Sequence, residues 1–171
     1  MRGALTLLLI VGGLSGTAPA LAQDQDAAPD AQSAEEAAAE RNYHNRQQAY
    51  LSDLMASDGW YTMEGGLRWR YVEYRGTGDS PTPADTVTVH YEGSFIDGEV
   101  FDSSYQSGKP ATFRLSGLIP AWEMAIPQMR VGEAIELAAP STLAYGPRGR
   151  GPIPGGATLL FKVELISIAG R

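Results

Sequence analysis

Residues 87–104, with the sequence VTVHYEGSFIDGEVFDSS, constrain the fold of this chain more than any other stretch. Val87, Val89 and Tyr91 alternate with polar residues, which is the pattern of a half-buried strand. Residues 96–99 have the composition of a tight turn into a second strand, so the stretch predicts a β-hairpin. The hairpin ends with Phe101 followed directly by Asp102, although an ionised carboxylate resists burial without a hydrogen-bond partner. The hairpin alone favours an Asx turn at Asp102, and a functional carboxylate is the alternative.

Further strands are predicted on both sides of the hairpin. Apolar and polar residues alternate at 67–71, 111–115 and 158–168, and residues 134–138 are predicted as another strand. Pro120 suits the first turn of a helix whose apolar face includes Trp122. Pro127 removes a backbone donor, so we expect this helix to close by about residue 128. These elements predict an α+β fold, with an antiparallel sheet of about five strands and one short helix.

The first 22 residues have the layout of a secretory signal peptide. Arg2 precedes an apolar run over residues 5–14, and small residues follow up to Ala22. Because the run is too short to span a bilayer comfortably, we expect cleavage after Ala22 and export; an uncleaved membrane helix is the alternative. No cysteine stands at the cleavage point to carry a lipid, so no stable membrane anchor is expected.

The chain contains no cysteine, which excludes disulfides, thiol catalysis and cysteine-based zinc sites. Export without disulfides is compatible with a bacterial periplasm, which is the predicted location. The net charge of −7 is concentrated in residues 23–40, where six acidic residues occur among alanines without a basic one. We interpret this tract as an acidic, alanine-rich spacer, with a weak helix over residues 34–39 as the alternative. The rest of the chain lacks the basic face that nucleic-acid binding requires.

Residues 41–58 predict a short amphipathic helix, because Tyr43, Tyr50 and Leu54 recur at helical intervals. The simplest interpretation is that this helix packs on its own domain, which comprises residues 59–171. The alternative is an arm that forms a homodimer or holds client proteins.

Two histidines, His44 and His90, are present, and neither lies beside a nucleophile motif, so we expect no hydrolytic triad. They also lack the spacing of a metal site, so we expect no metal and no cofactor. Arg148 and Arg150 lie among glycines, but the spacing of a phosphate-binding loop is absent. We interpret their segment as a flexible surface loop within the long, Pro- and Gly-rich connection over residues 140–156.

A series of motifs runs in order from about residue 65 to residue 168: VHYEGSFIDGEVFDSS, IPAW from Ile119, MRVGE from Met129, LAYG from Leu143, IP at Ile153 and ATLLF from Ala157. The series closely resembles the FKBP-type peptidyl-prolyl cis-trans isomerases of the exported bacterial type. This resemblance implies a curved antiparallel sheet wrapped around the short helix, with an apolar pocket between them. The helix over residues 41–58 would be an N-terminal extension of that domain.

Carried over position by position, the resemblance assigns ten residues to the pocket. Asp102 and Tyr145 would be the catalytic residues, with Asp102 close to the twisting bond and the Tyr145 hydroxyl on a substrate carbonyl. The Ile119 N–H would hold a second carbonyl, and Trp122 would form the floor. The substrate-binding residues would be Tyr91, Phe101, Leu118, Ile119, Trp122, Ala144, Ile153 and Phe161.

Two positions depart from the family pattern. Ser107 stands where a basic residue is expected, and Ala111 stands near the place of an expected aromatic residue. We therefore expect Asp102 to lack a cationic neighbour and one wall of the pocket to be thin.

The resemblance implies a peptidyl-prolyl cis-trans isomerase that accelerates rotation about X–Pro bonds in unfolded or exported polypeptides. Its partners would be proline-containing polypeptide clients, with macrolides as candidate inhibitors. Rotation breaks no covalent bond, so a pocket that prefers the twisted amide suffices without a nucleophile. The alternative is a binding module or holdase chaperone that grips proline-containing segments with little catalysis.

Overall fold

The computed structural model describes residues 30–74 and 76–170. The predicted signal peptide, residues 1–22, lies outside these residues. In chain order the helices and strands are α1 (Ala31–Asp53), β1 (Tyr61–Thr62), β2 (Arg68–Glu73), β3 (Thr86–Phe95), β4 (Val100–Ser103), the one-turn α2 (Ser104–Ser107), β5 (Ala111–Arg114), α3 (Pro120–Ala125), β6 (Ala134–Ala139) and β7 (Leu159–Ile168). None of the described helices combines the length and the apolar character needed to cross a membrane.

The strands form one antiparallel sheet in the order β1-β2-β6-β7-β3-β4, and β5 also pairs with β3. The predicted hairpin is confirmed, because β3 and β4 pair and the Phe95 N–H donates to the Glu99 carbonyl across the turn at 2.9 Å. The described sheet has seven strands rather than about five. The hairpin contributes two of them, and β1 forms from two residues without an alternating pattern.

The centre of the sheet is the pairing of β3 with β7, which extends from Val87 opposite Ile168 to Phe95 opposite Leu159. The register shifts between Thr88 and Val89 in this pair, and β3 shifts again against β4 after Gly93. Such bulges bend strands and increase their twist. The predicted α+β fold, a sheet with one short helix against it, is confirmed.

Helix α3 lies against the apolar face of the sheet. It begins at Pro120 and passes at Ile126 into a 3₁₀ turn that ends at Gln128, as Pro127 requires. Its Trp122, Ala125 and Ile126 side chains are buried. They join a core that includes Leu67, Val87, Val89, Leu115, Ile135, Leu137, Leu159, Val163 and Leu165. The site described below lies at the end of this core, where α3 begins.

The N-terminal helix α1 corrects the predicted boundaries. It begins at Ala31, inside the stretch predicted as a spacer, and it ends at Asp53, before residue 58. The Asp30 side chain caps it by accepting the Ser33 N–H at 2.8 Å, and the alanines that follow favour helix. A good cap and helix-forming residues therefore outweigh the acidic composition that suggested a spacer.

Helix α1 packs on the domain through Gln47, the one buried residue in the helix. The Gln47 Oε1 atom accepts the Thr158 N–H at 2.8 Å, and Thr158 is itself buried. Farther along the helix, the Leu51 carbonyl accepts from Arg68 Nε at 3.3 Å. These contacts agree with the interpretation that the helix packs on its own domain.

Candidate active site

A cavity of about 420 Å³ opens between α3 and the sheet. Its walls come from β3, β4, β5 and β7, from the start of α3, and from the connection between β6 and β7. The lining residues are Tyr91, Phe101, Asp102, Phe113, Gly117, Leu118, Ile119, Pro120, Trp122, Ala144, Tyr145, Arg150 and Phe161. This volume suits a small ligand or a few residues of a peptide.

Aromatic rings packed edge to face form the bottom of the cavity. The Trp122 ring lies 5.4 Å from that of Tyr91 and 5.5 Å from that of Phe161, both nearly perpendicular to it. Phe101 in turn meets Phe161 at 5.9 Å and 89°. Such T-shaped pairs are favourable beyond simple burial, so the rings hold one another in place. Trp122 is only 5% exposed and forms the floor.

The Trp122 indole N–H has no hydrogen-bond partner among the described residues, although it is buried. An unpaired buried donor costs about 1–3 kcal/mol of stability. The indole ring that forms the floor of the cavity therefore leaves one buried polar group, its N–H, unsatisfied.

Asp102 and Tyr91 form the polar contact inside the cavity. The Tyr91 hydroxyl donates to Asp102 Oδ2 at 2.7 Å. Burial of the ring, and after it the hydrogen bond and negative charge of Asp102, raise the pKa of Tyr91 to about 12. In the described structure the Asp102 side chain bonds to Tyr91 and not to the backbone of Ser103 or Ser104, so the Asx-turn interpretation is wrong.

Besides the Trp122 indole N–H, two donors at the cavity are unpaired. Ile119 directly precedes Pro120, at the start of α3. Its backbone N–H donates to no residue in the described part of the chain. The Tyr145 hydroxyl likewise takes part in no hydrogen bond among residues 30–74 and 76–170. Each can therefore donate to a carbonyl of a bound peptide without first breaking a bond within the protein.

Nine of the ten residues predicted from the resemblance lie together in the cavity lining. The exception is Ile153, which does not line the cavity and is buried in the hydrophobic core. It is 8% exposed and pairs with Arg150 in a short bridge, in which the Arg150 N–H donates to the Ile153 carbonyl at 2.9 Å. The bridge folds this part of the connection back on itself and leaves Ile153 against the core.

Phe113 corrects the expectation of a thin wall. Its ring lies 5.9 Å from that of Tyr91 and 6.1 Å from that of Trp122, so it supplies an aromatic wall close to Ala111. The sequence carried a signal for this residue. In the alternating stretch 111–115, Phe113 shares a face with Leu115, which is fully buried.

Arg150 was also missed, because its segment was interpreted as a flexible surface loop. The loop is instead closely packed. A side chain at Gly149 would collide with the Ile153 carbonyl, and one at Gly155 would collide with the Pro147 carbonyl. The glycines therefore allow the backbone segments to approach, and the fold brings Arg150 to the cavity.

Asp102 has no ion-pair partner within 4.0 Å among the described residues. Arg150 is nevertheless a cation on the lining of the same cavity. No group of three or more His, Asp or Glu side chains within the described ranges is arranged to hold a metal ion.

Comparison with known proteins places these features in a family. The model of the FKBP-type peptidyl-prolyl cis-trans isomerase family matches residues 78–166. Outer membrane protein MIP of Legionella longbeachae is 46% identical over 121 residues, which are 70% of this chain and 52% of that protein. FK506-binding protein 2 of Debaryomyces hansenii is 51% identical over 90 residues, or 52% of this chain and 67% of that protein.

The crystal structure of FkpA from Escherichia coli superposes with a TM-score of 0.72 at 39% identity, covering 80% of this chain and 63% of that one. The chain spans about half the length of the bacterial curated relatives it matches. The family match nevertheless extends from the residues before β3 into β7, and so contains every residue that lines the cavity. This chain therefore belongs to the FKBP-type peptidyl-prolyl cis-trans isomerase family.

Proposed function

We propose that this protein catalyses cis–trans isomerisation of X–Pro peptide bonds in unfolded or exported polypeptides. The observation that carries the proposal is an aromatic cavity whose unpaired donors include the Ile119 N–H and the Tyr145 hydroxyl. The cavity can enclose a prolyl ring while the donors hold the carbonyls beside it. Family membership supports this reading of the geometry.

The chemistry requires no nucleophile. Resonance gives the amide a rotation barrier of about 18–20 kcal/mol and makes the planar form the more dipolar one. An apolar cavity disfavours the dipolar planar form relative to the twisted amide, and an enzyme accelerates a reaction by binding its transition state more tightly. Trp122 would support the prolyl ring from below. Because rings packed edge to face fix this floor, little reorganisation is needed when substrate binds.

Asp102 would act as the polar group next to the twisting bond. Its carboxylate is held by the Tyr91 hydroxyl at 2.7 Å, so its position is fixed before substrate arrives. We assign Asp102 and Tyr145 as catalytic residues, and the other cavity residues as the binding surface. Ile153 acts beneath the connection as a supporting core residue.

Clients and location follow from the same proposal. The signal peptide predicted over residues 1–22 supports export to the periplasm, and one relative is named an outer membrane protein. The polypeptide clients would be exported chains with exposed X–Pro bonds, so the protein would assist their folding as a chaperone. Macrolides of the FK506 type are proposed as inhibitors, since one relative is named for binding FK506.

Exchange spectroscopy by NMR on a short X–Pro peptide tests the proposal, because it measures isomerisation without a coupled protease. The protein is expected to raise the exchange rate well above the rate in buffer. Tyr145→Phe should lower turnover severalfold by removing a donor. The matched control is Tyr74→Phe, since Tyr74 is 69% exposed and does not line the cavity.

A folded sample that leaves the exchange rate at its buffer value would overturn the proposal. If the peptide still binds in that case, as followed by a change in tryptophan fluorescence, the alternative function of a proline-binding module or holdase holds. Equal loss of activity in the Tyr145 and Tyr74 variants would show that the assignment of Tyr145 is wrong.

A further inference from the structure

The proposed function leaves one charged cavity residue unused, Arg150. Its side chain lines the cavity and is exposed. The guanidinium carbon lies 5.9 Å from the centroid of the Tyr145 ring. Within residues 30–74 and 76–170, the ion pair formed is Arg70 with Glu136, and Arg150 has no carboxylate within 4.0 Å. A full positive charge therefore lies at the cavity without a carboxylate partner among the described residues.

The position of this charge is set by the fold of its loop. The Arg150 N–H donates to the Ile153 carbonyl at 2.9 Å, and the Ile153 N–H donates back to the Arg150 carbonyl at 3.0 Å. The left-handed Gly149 precedes the bridge, at a place where a side chain would collide with the Ile153 carbonyl. The loop thus fixes the backbone of Arg150, and the Tyr145 ring gives its guanidinium a surface to lie over.

Arg148 provides a comparison within the same loop. It is also exposed and positively charged, but it does not line the cavity. Both arginines carry one positive charge in the same loop, and Arg150 is the one of the two that lines the cavity. Changing Arg148 therefore serves as a control, which separates a direct contact of Arg150 with the peptide from the general charge of the loop.

The cavity also contains one acid, Asp102, but this group does not neutralise Arg150. Its carboxylate accepts from the Tyr91 hydroxyl and lies more than 4.0 Å from the guanidinium. A peptide bound in the cavity therefore meets two charged groups. The Asp102 carboxylate already accepts a hydrogen bond, whereas the Arg150 guanidinium has no carboxylate to pair with. A guanidinium offers five N–H donors and pairs best with a carboxylate.

We propose that Arg150 is a specificity-determining residue that favours X–Pro segments with a carboxylate within one or two residues of the proline. The carboxylate can be the side chain of aspartate or glutamate, or the C-terminus of a chain that ends just after proline. This inference rests on the proposed isomerase function, and it adds the charge class of the preferred substrate.

The test compares kcat/KM for N-acetylated, C-amidated peptides that differ only in glutamate, glutamine or lysine beside proline. One set places the variable residue before proline and a second set places it after. At low salt, glutamate is expected to exceed glutamine by about threefold, the size of an exposed ion pair, and lysine should be poorest. The glutamate preference should shrink toward one at about 1 M salt, where screening is strong.

Variants assign the preference to one side chain. Arg150→Gln should remove the difference between glutamate and glutamine, and Arg150→Glu should reverse it in favour of lysine. Arg148→Gln should keep it. Repeating the glutamine peptide with a free C-terminal carboxylate directly after proline separates the two sources of the charge. Equal urea unfolding midpoints for the variants would show that none of these effects reflects unfolding.

Equal kcat/KM for glutamate and glutamine peptides in an active wild-type protein would overturn the inference. So would a preference that Arg148→Gln lowers as much as Arg150→Gln does, since it would then come from the general field of the loop. If no peptide is isomerised, the proposed function has failed. Calorimetric binding of the glutamate and glutamine peptides then decides the role of Arg150, which is refuted if both bind equally.

Discussion

Replacing Gly93 by alanine is expected to disrupt the candidate active site, because the added methyl group would displace aromatic rings of the cavity. Gly93 lies in β3 beneath the aromatic walls. An alanine Cβ there would lie 2.6 Å from Cζ and 2.8 Å from Cε2 of Phe101, and 3.1 Å from Cε1 of Phe161. The φ angle of Gly93 is not in the left-handed region, so the backbone itself would accept alanine. Collision with the rings is the effect to be measured.

The geometry sets the size of this effect. Carbon atoms in contact ordinarily lie about 3.5–4.0 Å apart, so the Phe101 ring must withdraw by about 1 Å. Overpacking of this kind costs about 1–3 kcal/mol. Loss of unfolded-state entropy offsets about 0.4–1 kcal/mol of it, which leaves a net destabilisation of about 1–2 kcal/mol. Because a misplacement of 1 Å in a site can cost about 100-fold, we expect kcat/KM to fall at least about tenfold.

Urea unfolding and the peptide exchange assay measure the two effects. Gly117→Ala is the control for stability, because Gly117 also lines the cavity but an added Cβ would meet no atom within 4 Å. Combining Gly93→Ala with Phe101→Leu should destabilise less than the sum of the two changes, since the smaller side chain relieves the collision. If Gly93→Ala matches wild type in both unfolding and activity, the close approach of these rings is wrong.

Three further predictions concern stability. The raised pKa of Tyr91, about 12 against about 10 in the unfolded chain, means that the folded state keeps the phenol proton longer. The contribution of the Tyr91 phenol to the free energy of unfolding is complete below about pH 10 and is lost as the pH rises through about 12. Tyr91→Phe should therefore lessen the fall in stability that urea unfolding measures at alkaline pH. The same pH dependence in the variant and the wild type would contradict this. Gln47→Leu leaves the buried Thr158 N–H without an acceptor and should cost about 1–3 kcal/mol, with faster amide hydrogen exchange at Thr158; normal protection there would show that α1 is not held by Gln47. Trp122→Phe removes the unpaired indole N–H together with part of the ring. It should therefore lower the free energy of unfolding by less than the about 3–5 kcal/mol of a Trp→Ala change. A larger loss would show that the indole N–H does have a hydrogen-bond partner.

Local patterns in the sequence predicted much of the fold. Alternation over residues 87–91 and the turn at 96–99 correctly indicated the hairpin, because strand period and turn composition are properties of neighbouring residues. Pro120 and Pro127 likewise bounded α3, since each acts on its own turn of helix. The prediction failed at α1, where the Asp30 cap and the alanines outweighed an acidic composition that suggested a spacer.

The candidate site was predicted through motif resemblance rather than from the pattern of the chain. Nine of the assigned residues line one cavity, although they come from separate strands, a helix and a connection. Phe113 could have been added from its face of the alternating strand. Ile153 could not have been placed in the core, because its direction depends on the bridge to Arg150.

The sequence alone indicated the hairpin, most of the other strands and the short helix, because these depend on neighbouring side chains, and its motifs led to the candidate site through resemblance. The start of α1 and strand β1 did not follow from it. Only the tertiary structure decided which charges and ring contacts the site contains. Arg150 reaches the cavity because Gly149 and Gly155 let backbone segments of the same loop touch, and Gly93 matters because two rings from other strands lie against it. Asp102 is bound by Tyr91 because β3 and β4 pair with Gly93 opposite Asp102, which brings the carboxylate next to the tyrosine two residues earlier in β3. Each of these outcomes depends on how loops and neighbouring strands pack against one another in space, and the periodicity of the sequence does not encode that packing.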